Sequence, residues 1–177
     1  MKLFAITLML LAVACSPMTA RAQRSHKDLA ALWRTATADE LAEVLPARAP
    51  VLQERIETEA TANSGITDTH GRVIAVTVLI TAGYAAHGKY SQYLVAGAPV
   101  EFGASVALKP GAYLLGWTRD EAGLHVSFYE AANGNLIGSV EALPSNPPLR
   151  VVPVRLWPPV QRSILQIGRF VIPYELR

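Results

Sequence analysis

One cysteine, Cys15, is all that the 177-residue sequence contains. A chain trimmed beyond that point would have no disulfide, no thiol nucleophile and no cysteine-based metal site. Charge is also sparse at 17% of residues, and nowhere do Lys and Arg form a run. Binding to nucleic acid is therefore not expected, because neutralising successive phosphates needs clustered cations. The formal net charge of +2 belongs entirely to Lys2 and Arg21, without which basic and acidic residues balance. No apolar stretch reaches the roughly 20 residues that span a bilayer as a helix. Internal repeats and low-complexity tracts are absent too.

The apolar run that does exist lies at the start. Lys2 supplies a positive flank, Leu3 to Cys15 an apolar segment, Pro17 a helix break and Ala20-Arg21-Ala22 a small-x-small cleavage pattern. These are the three parts of a secretory signal. The expectation is export to the periplasm or beyond, with residues 1–22 removed and Gln23 the new N-terminus. Ala12-Val13-Ala14-Cys15 offers a competing reading as a lipobox, in which a lipidated Cys15 anchors an envelope lipoprotein. Bacterial lipoboxes usually carry Leu where this chain has Ala12.

With 51% hydrophobic residues the remaining chain can bury one core. Residues 23–64 read as an N-terminal helical segment. Leu29, Leu32, Trp33 and Ala36 recur at helical spacing, Thr37 and Glu40 form a capping box ahead of Leu41, Val44 and Leu45, and Pro46 ends that helix. Between Pro50 and Ala62, Leu52, Ile56 and Ala60 suit a helix face, although Ile56 to Thr61 also alternates as a strand would. Residues 65–177 read as the β domain. Val73 to Ile80 is a β-branched run fit for a central strand, Lys89 to Ala96 is another, and Val100 to Leu108 holds one or two short ones.

Lys109-Pro110-Gly111 is a turn. Ala112 to Thr118, Leu124 to Ala131 and Leu136 to Ala142 then form a meander, with Gly123 and Gly134 ending three-residue hairpin loops. On that geometry Asp120 pairs with Leu124 and Ala131 with Asn135, so both Gly116 and Gly138 lie opposite Phe128. Phe128, Leu124, Val126, Val140 and Ala142 become the core face. Tyr113, Leu115, Trp117, His125, Ser127, Tyr129 and Ile137 become the other. Six prolines from Pro144 to Pro159 imply an edge or crossing segment, and Ile164 to Ile172 closes the sheet. The expected fold is mainly β: an antiparallel β-sandwich, or a partly open barrel, of about seven or eight strands with a short N-terminal helical segment.

The string from Leu108-Lys109-Pro110-Gly111-Ala112-Tyr113 through Phe128-Tyr129-Glu130-Ala131, with the closing Gln166-Ile167-Gly168-Arg169-Phe170, resembles small exported bacterial β-domain proteins without an assigned activity. It covers about half of the processed chain. The resemblance implies the β fold and export, and carries no functional residue across.

Chemistry has few footholds. Asp68 and His70 share a strand face and His87 could approach from a later loop, which would give a metal-assisted hydrolase its ligands. Otherwise Asp68 and His70 belong to a polar turn. A Gly-x-Ser-x-Gly elbow is lacking, so Ser91, Ser105, Ser127 and Ser163 read as strand and turn residues, and Asp120, Glu121 and Glu130 imply no carboxylate pocket. Tyr113, Trp117 and Tyr129, with His125 nearby, could form a platform for a sugar ring or a protein, unless the N-terminal segment covers it as a second core layer. The leading expectation is an exported, non-enzymatic module of the cell envelope that binds a protein or glycan and needs no cofactor. A structural envelope accessory or lipoprotein comes next, and the hydrolase last.

Overall fold

The computed structural model describes residues 32–121 and 123–177; Cys15, the expected export signal over residues 1–22 and Leu29 lie outside them. Thirteen strands, all paired antiparallel, and one short helix make up the described chain. In order they are β1 (Trp33–Thr35), α1 (Ala38–Val44), β2 (Arg48–Val51), β3 (Glu54–Asp68), β4 (Val73–Leu79), β5 (Gln92–Ala96), β6 (Val100–Phe102) and β7 (Val106–Leu108). There follow β8 (Gly111–Arg119), β9 (Leu124–Glu130), β10 (Leu136–Pro144), β11 (Val152–Trp157), β12 (Ile164–Gly168) and β13 (Phe170–Leu176). Hydrogen-bonded neighbours run β1-β3-β4-β5-β8-β9-β10-β13-β12-β11, with β2 added to β3 and the β6–β7 hairpin added to β13. At the far end β11 returns to β3, where the Leu156 amide donates to the Ser64 hydroxyl at 2.9 Å. The sheet thus curls into a nearly closed barrel, and of the two expected architectures the barrel is the one adopted, with thirteen strands where seven or eight were expected.

Among the described residues of the 23–64 segment, which begin at Leu32, the helical reading holds only at α1. There the capping box is complete: Thr37 Oγ1 accepts from the Glu40 amide and Glu40 Oε2 accepts from the Thr37 amide at 2.8 Å. Arg34 adds a two-pronged contact that, with the Thr37 amide, holds the Glu40 carboxyl down at about 2. Trp33 is not on a helix. It pairs with Asp68 across β1 and β3 and points into the barrel, because the end of β3 offers an open ladder that a three-residue strand can complete. Residues 50–62 are strand as well: Ile56 pairs with Ala49, and the Ile, Thr and Val content of the β2–β3 hairpin suits a pleated surface.

β3 belongs to two layers. Between Glu59 and Ser64 its register against β4 shifts, with Ala60 to Asn63 set against Thr77, whose hydroxyl donates to the Glu59 carbonyl. Such a bulge bends a strand. Beyond it Ile66 enters the barrel interior beside Ile74, Val76, Leu94, Phe102, Phe128, Leu156 and Ile172. Before it Ile56 joins an outer core with Leu41, Leu45, Val51, Leu79, Tyr90, Tyr93 and Leu114. The outer core forms where α1, the β2–β3 hairpin and residues 81–91 fold over the outside of β4, β5, β8 and β9. Two glycines permit this approach: a Cβ on Gly65 would lie 2.6 Å from Leu41 Cδ2 of α1, and one on Gly116 would lie 2.1 Å from the Lys89 carbonyl oxygen.

In the meander, β9 against β10 has Gly138 opposite Phe128 and Val140 opposite Val126, as expected, with a bulge between Leu136 and Gly138. Gly134 is left-handed at φ 72°. The β8–β9 register differs by one residue: Arg119 pairs with Leu124, so Leu115 and not Gly116 faces Phe128. The Asp120 carboxylate accepts from the Gly123 amide at 3.0 Å, closing a four-residue loop in place of the three-residue one. Phe128 is therefore opposite one glycine, Gly138, and its ring stacks on Phe102 at 5.1 Å, while the space over Gly138 is taken by Val106, whose Cγ2 would lie 3.0 Å from an added Cβ.

Candidate functional site

The one-residue slip divides the aromatic platform. Tyr113 and Trp117 share the interior-facing side of β8 with Leu115, while His125 and Tyr129 lie on the outer side of β9. Tyr113 is buried and its hydroxyl donates to the Lys109 carbonyl at 2.7 Å, which ties down the Lys109-Pro110-Gly111 turn. Trp117 is 43% exposed, at the mouth of the barrel where β8 outruns β5. His125 Nε2 meets Asp120 Oδ2 at 2.7 Å and braces the hairpin. Tyr129 is half-buried, edge-on to Tyr90 at 5.3 Å and beneath Lys89. These four side chains form no common plane, and what covers Tyr129 is Tyr90 and Lys89, not Trp33, which lies in the barrel interior, or the exposed Leu32.

The metal trio is divided as well. Asp68 is buried at the β3–β4 turn, where it accepts from the His70 amide (2.9 Å), the Arg72 amide (2.8 Å) and Arg72 Nε (2.7 Å). The His70 ring is exposed, with Nδ1 at 3.6 Å from Asp68 Oδ2. His87 lies in the connection after β4, at the other end of that seven-residue strand, which at ~3.3 Å per residue is on the order of 20 Å away. Among the described residues no group of three His, Cys, Asp or Glu side chains could hold a metal, and no helix is long and apolar enough to cross a membrane.

Burial pushes the Asp68 carboxyl up, yet the Arg72 and His70 hydrogen bonds outweigh it and hold the group below its ordinary 3.8. A depressed folded-state pKa contributes stability that is present above the unfolded value and lost as pH falls through the folded one. Asp68→Asn is expected to cost about 2 kcal/mol at neutral pH, the worth of hydrogen bonds to a charged group. Its stability should fall less steeply than the parent's on acidification below about pH 4. Thermal melts of both proteins between pH 7 and pH 3 check this.

Serines and carboxylates occupy structural posts. Ser127 and Ser139 hydroxyls bond each other across β9 and β10 at 2.8 Å, and Glu130 accepts from the Asn133 side chain.

What the sequence did not disclose is a groove of about 660 Å³ between β10, β13 and the β6–β7 turn. On one side β10 is paired with β9 along its length. On the other it meets β13 only at Leu143–Val171 and Pro144–Phe170. From there β13 diverges to pair with β6, leaving the Leu136–Ala142 edge without a ladder partner among the described residues. Ser139, Glu141 and the 53% exposed Leu143 line one wall, and Glu101, Ser105, Pro173 and Glu175 line the other. Glu175 and Glu101 stand directly opposite each other across β13 and β6, an arrangement that repels. Arg177 pairs with Glu101 only, and Glu141 and Glu175 have no cationic partner among the described residues. Three distant segments build this groove, so only topology could reveal it; Gly138 and Pro144 were the sequence's sole hints of an irregular edge.

No family model, curated protein or solved structure matches the chain. Nothing in these comparisons bears on the resemblance to exported bacterial β-domain proteins.

Proposed function

We propose that this chain is an exported, non-enzymatic β-barrel module of the cell envelope that binds an extended, basic protein segment along the free edge of β10. The observation that carries the reading is the unpaired Leu136–Ala142 edge beside an acidic groove. An open edge presents backbone donors and acceptors at a strand's spacing, and an added strand satisfies them while alternate side chains enter the groove. Exposed Leu143 offers an apolar contact, and Glu141 and Glu175, which have no cationic partner among the described residues while Arg177 at the groove pairs with Glu101, call for a Lys or Arg from the ligand. A protein ligand is favoured over a glycan because the aromatic side chains that would stack on a sugar lie on different faces.

The test is fluorescence anisotropy with two labelled peptides, one alternating Lys with Thr and the other Glu with Thr. The Lys peptide should bind and the Glu peptide should not. Combined Glu141→Lys and Glu175→Lys should weaken the first at least ~10-fold, because like charges brought together cost several kcal/mol. Equal binding of both peptides, or of neither, removes the reading.

A further inference from the structure

Between Glu141 and Glu175 the chain has no acidic residue, but it has arginines at 150, 155, 162 and 169. Two of them converge on the β11–β12 hairpin. The Arg155 guanidinium lies 3.8 Å from the centre of the Trp157 ring and that of Arg162 lies 5.5 Å away. Neither meets a carboxylate among the described residues. Between them buried Pro158 and half-buried Pro159 lead to Val160, which is 61% exposed.

The base of this tip is fixed. Trp157 Nε1 donates to buried Gln166 Oε1 at 3.0 Å, and the Tyr174 hydroxyl donates to the Trp157 carbonyl at 2.6 Å. The Arg162 amide returns to the Pro158 carbonyl at 3.0 Å, closing the loop. Little ordering entropy is left for a partner to remove.

We infer that the β11–β12 hairpin is a membrane-surface contact: Val160 enters the headgroup boundary of an anionic bilayer, Trp157 sits at headgroup level, and Arg155 and Arg162 engage lipid phosphates. Each part matches interfacial chemistry. Indole rings favour the headgroup layer, a basic rim around an apolar tip suits a leaflet surface, and guanidinium groups pair with phosphate oxygens. A soluble anionic polymer would use the arginines alike but would have no use for a bare valine preceded by two prolines. This contact is independent of the β10 groove.

Sedimentation of the processed protein with vesicles tests it. With mixed phosphatidylglycerol and phosphatidylcholine vesicles the protein should co-sediment, less so at high salt, and with phosphatidylcholine alone it should stay in solution. The double variant Arg155→Ala, Arg162→Ala should bind about 25-fold more weakly, since each basic residue near an anionic surface strengthens binding ~5-fold. Val160→Asp should also lose binding. All three positions are exposed, and unchanged thermal melts would verify that the variants fold. Absence of binding to the anionic vesicles, an undiminished double variant, or Val160→Asp binding like the parent would each overturn the proposal; the last would show charge attraction without an inserted tip.

Discussion

Replacing Phe128 with Ala should destabilise the protein by about 3–5 kcal/mol, the usual cost of emptying a fully buried aromatic site. Phe128 is inaccessible to solvent, stacks on Phe102 and lies opposite Leu115 on one side and Gly138 on the other. It thereby joins the meander to the β6–β7 hairpin, which plugs the interior from the other side. Collapse of the surroundings cannot fill the void, because the strands around it are fixed by their ladders on both edges of β9. For a domain of this size the change corresponds to a melting point lower by on the order of 10 °C. Phe128→Leu, which keeps most of the volume, should recover more than half of the loss.

Gly116→Ala should also be severe, for the opposite reason. The added methyl would sit 2.1 Å from the Lys89 carbonyl oxygen, far inside contact distance. Relief would require residues 81–91 to lift off β8, yet Tyr90 next door is fully buried in the outer core and the Lys89 amide is bonded to the Ala86 carbonyl. The expected cost is about 3 kcal/mol, at the upper end for overpacking. Alanine at Gly83, where no atom lies within 4 Å of the added methyl, should cost less and act only through its φ of 87°. Denaturant unfolding of both variants would separate the close approach of two layers from ordinary backbone preference.

These two positions mark how far the fold was legible. Phe128 was readable as core because Leu124, Val126 and Phe128 alternate with polar residues, and Gly134 pinned β9 to β10 from Gly138 onward. Gly116 was misread because the Asp120 carboxylate closes a longer loop than glycine spacing implies, which moved β8 by one residue and exchanged its faces. The same slip accounts for the divided platform of Tyr113, Trp117, His125 and Tyr129.

Farther upstream, Trp33 and Ala36 kept helical spacing, but the open end of β3 recruited Trp33 into a strand. Thr37 and Glu40, whose signal is entirely local, gave a helix as expected. Local chemistry was readable in the residues, whereas ladder completion between distant segments was not. The groove depends on three such segments and left almost no trace in the residue order.

The unpaired edge of β10 bears most of the functional reading, and amide hydrogen exchange of the free protein, resolved by residue, measures it directly. Along Gly138 to Ala142 alternate amides should be protected by β9 while those between them exchange at rates near those of exposed loops. Uniform protection along this stretch, equal to that of β9, would mean that another segment already completes the edge and that the groove is closed to an added strand.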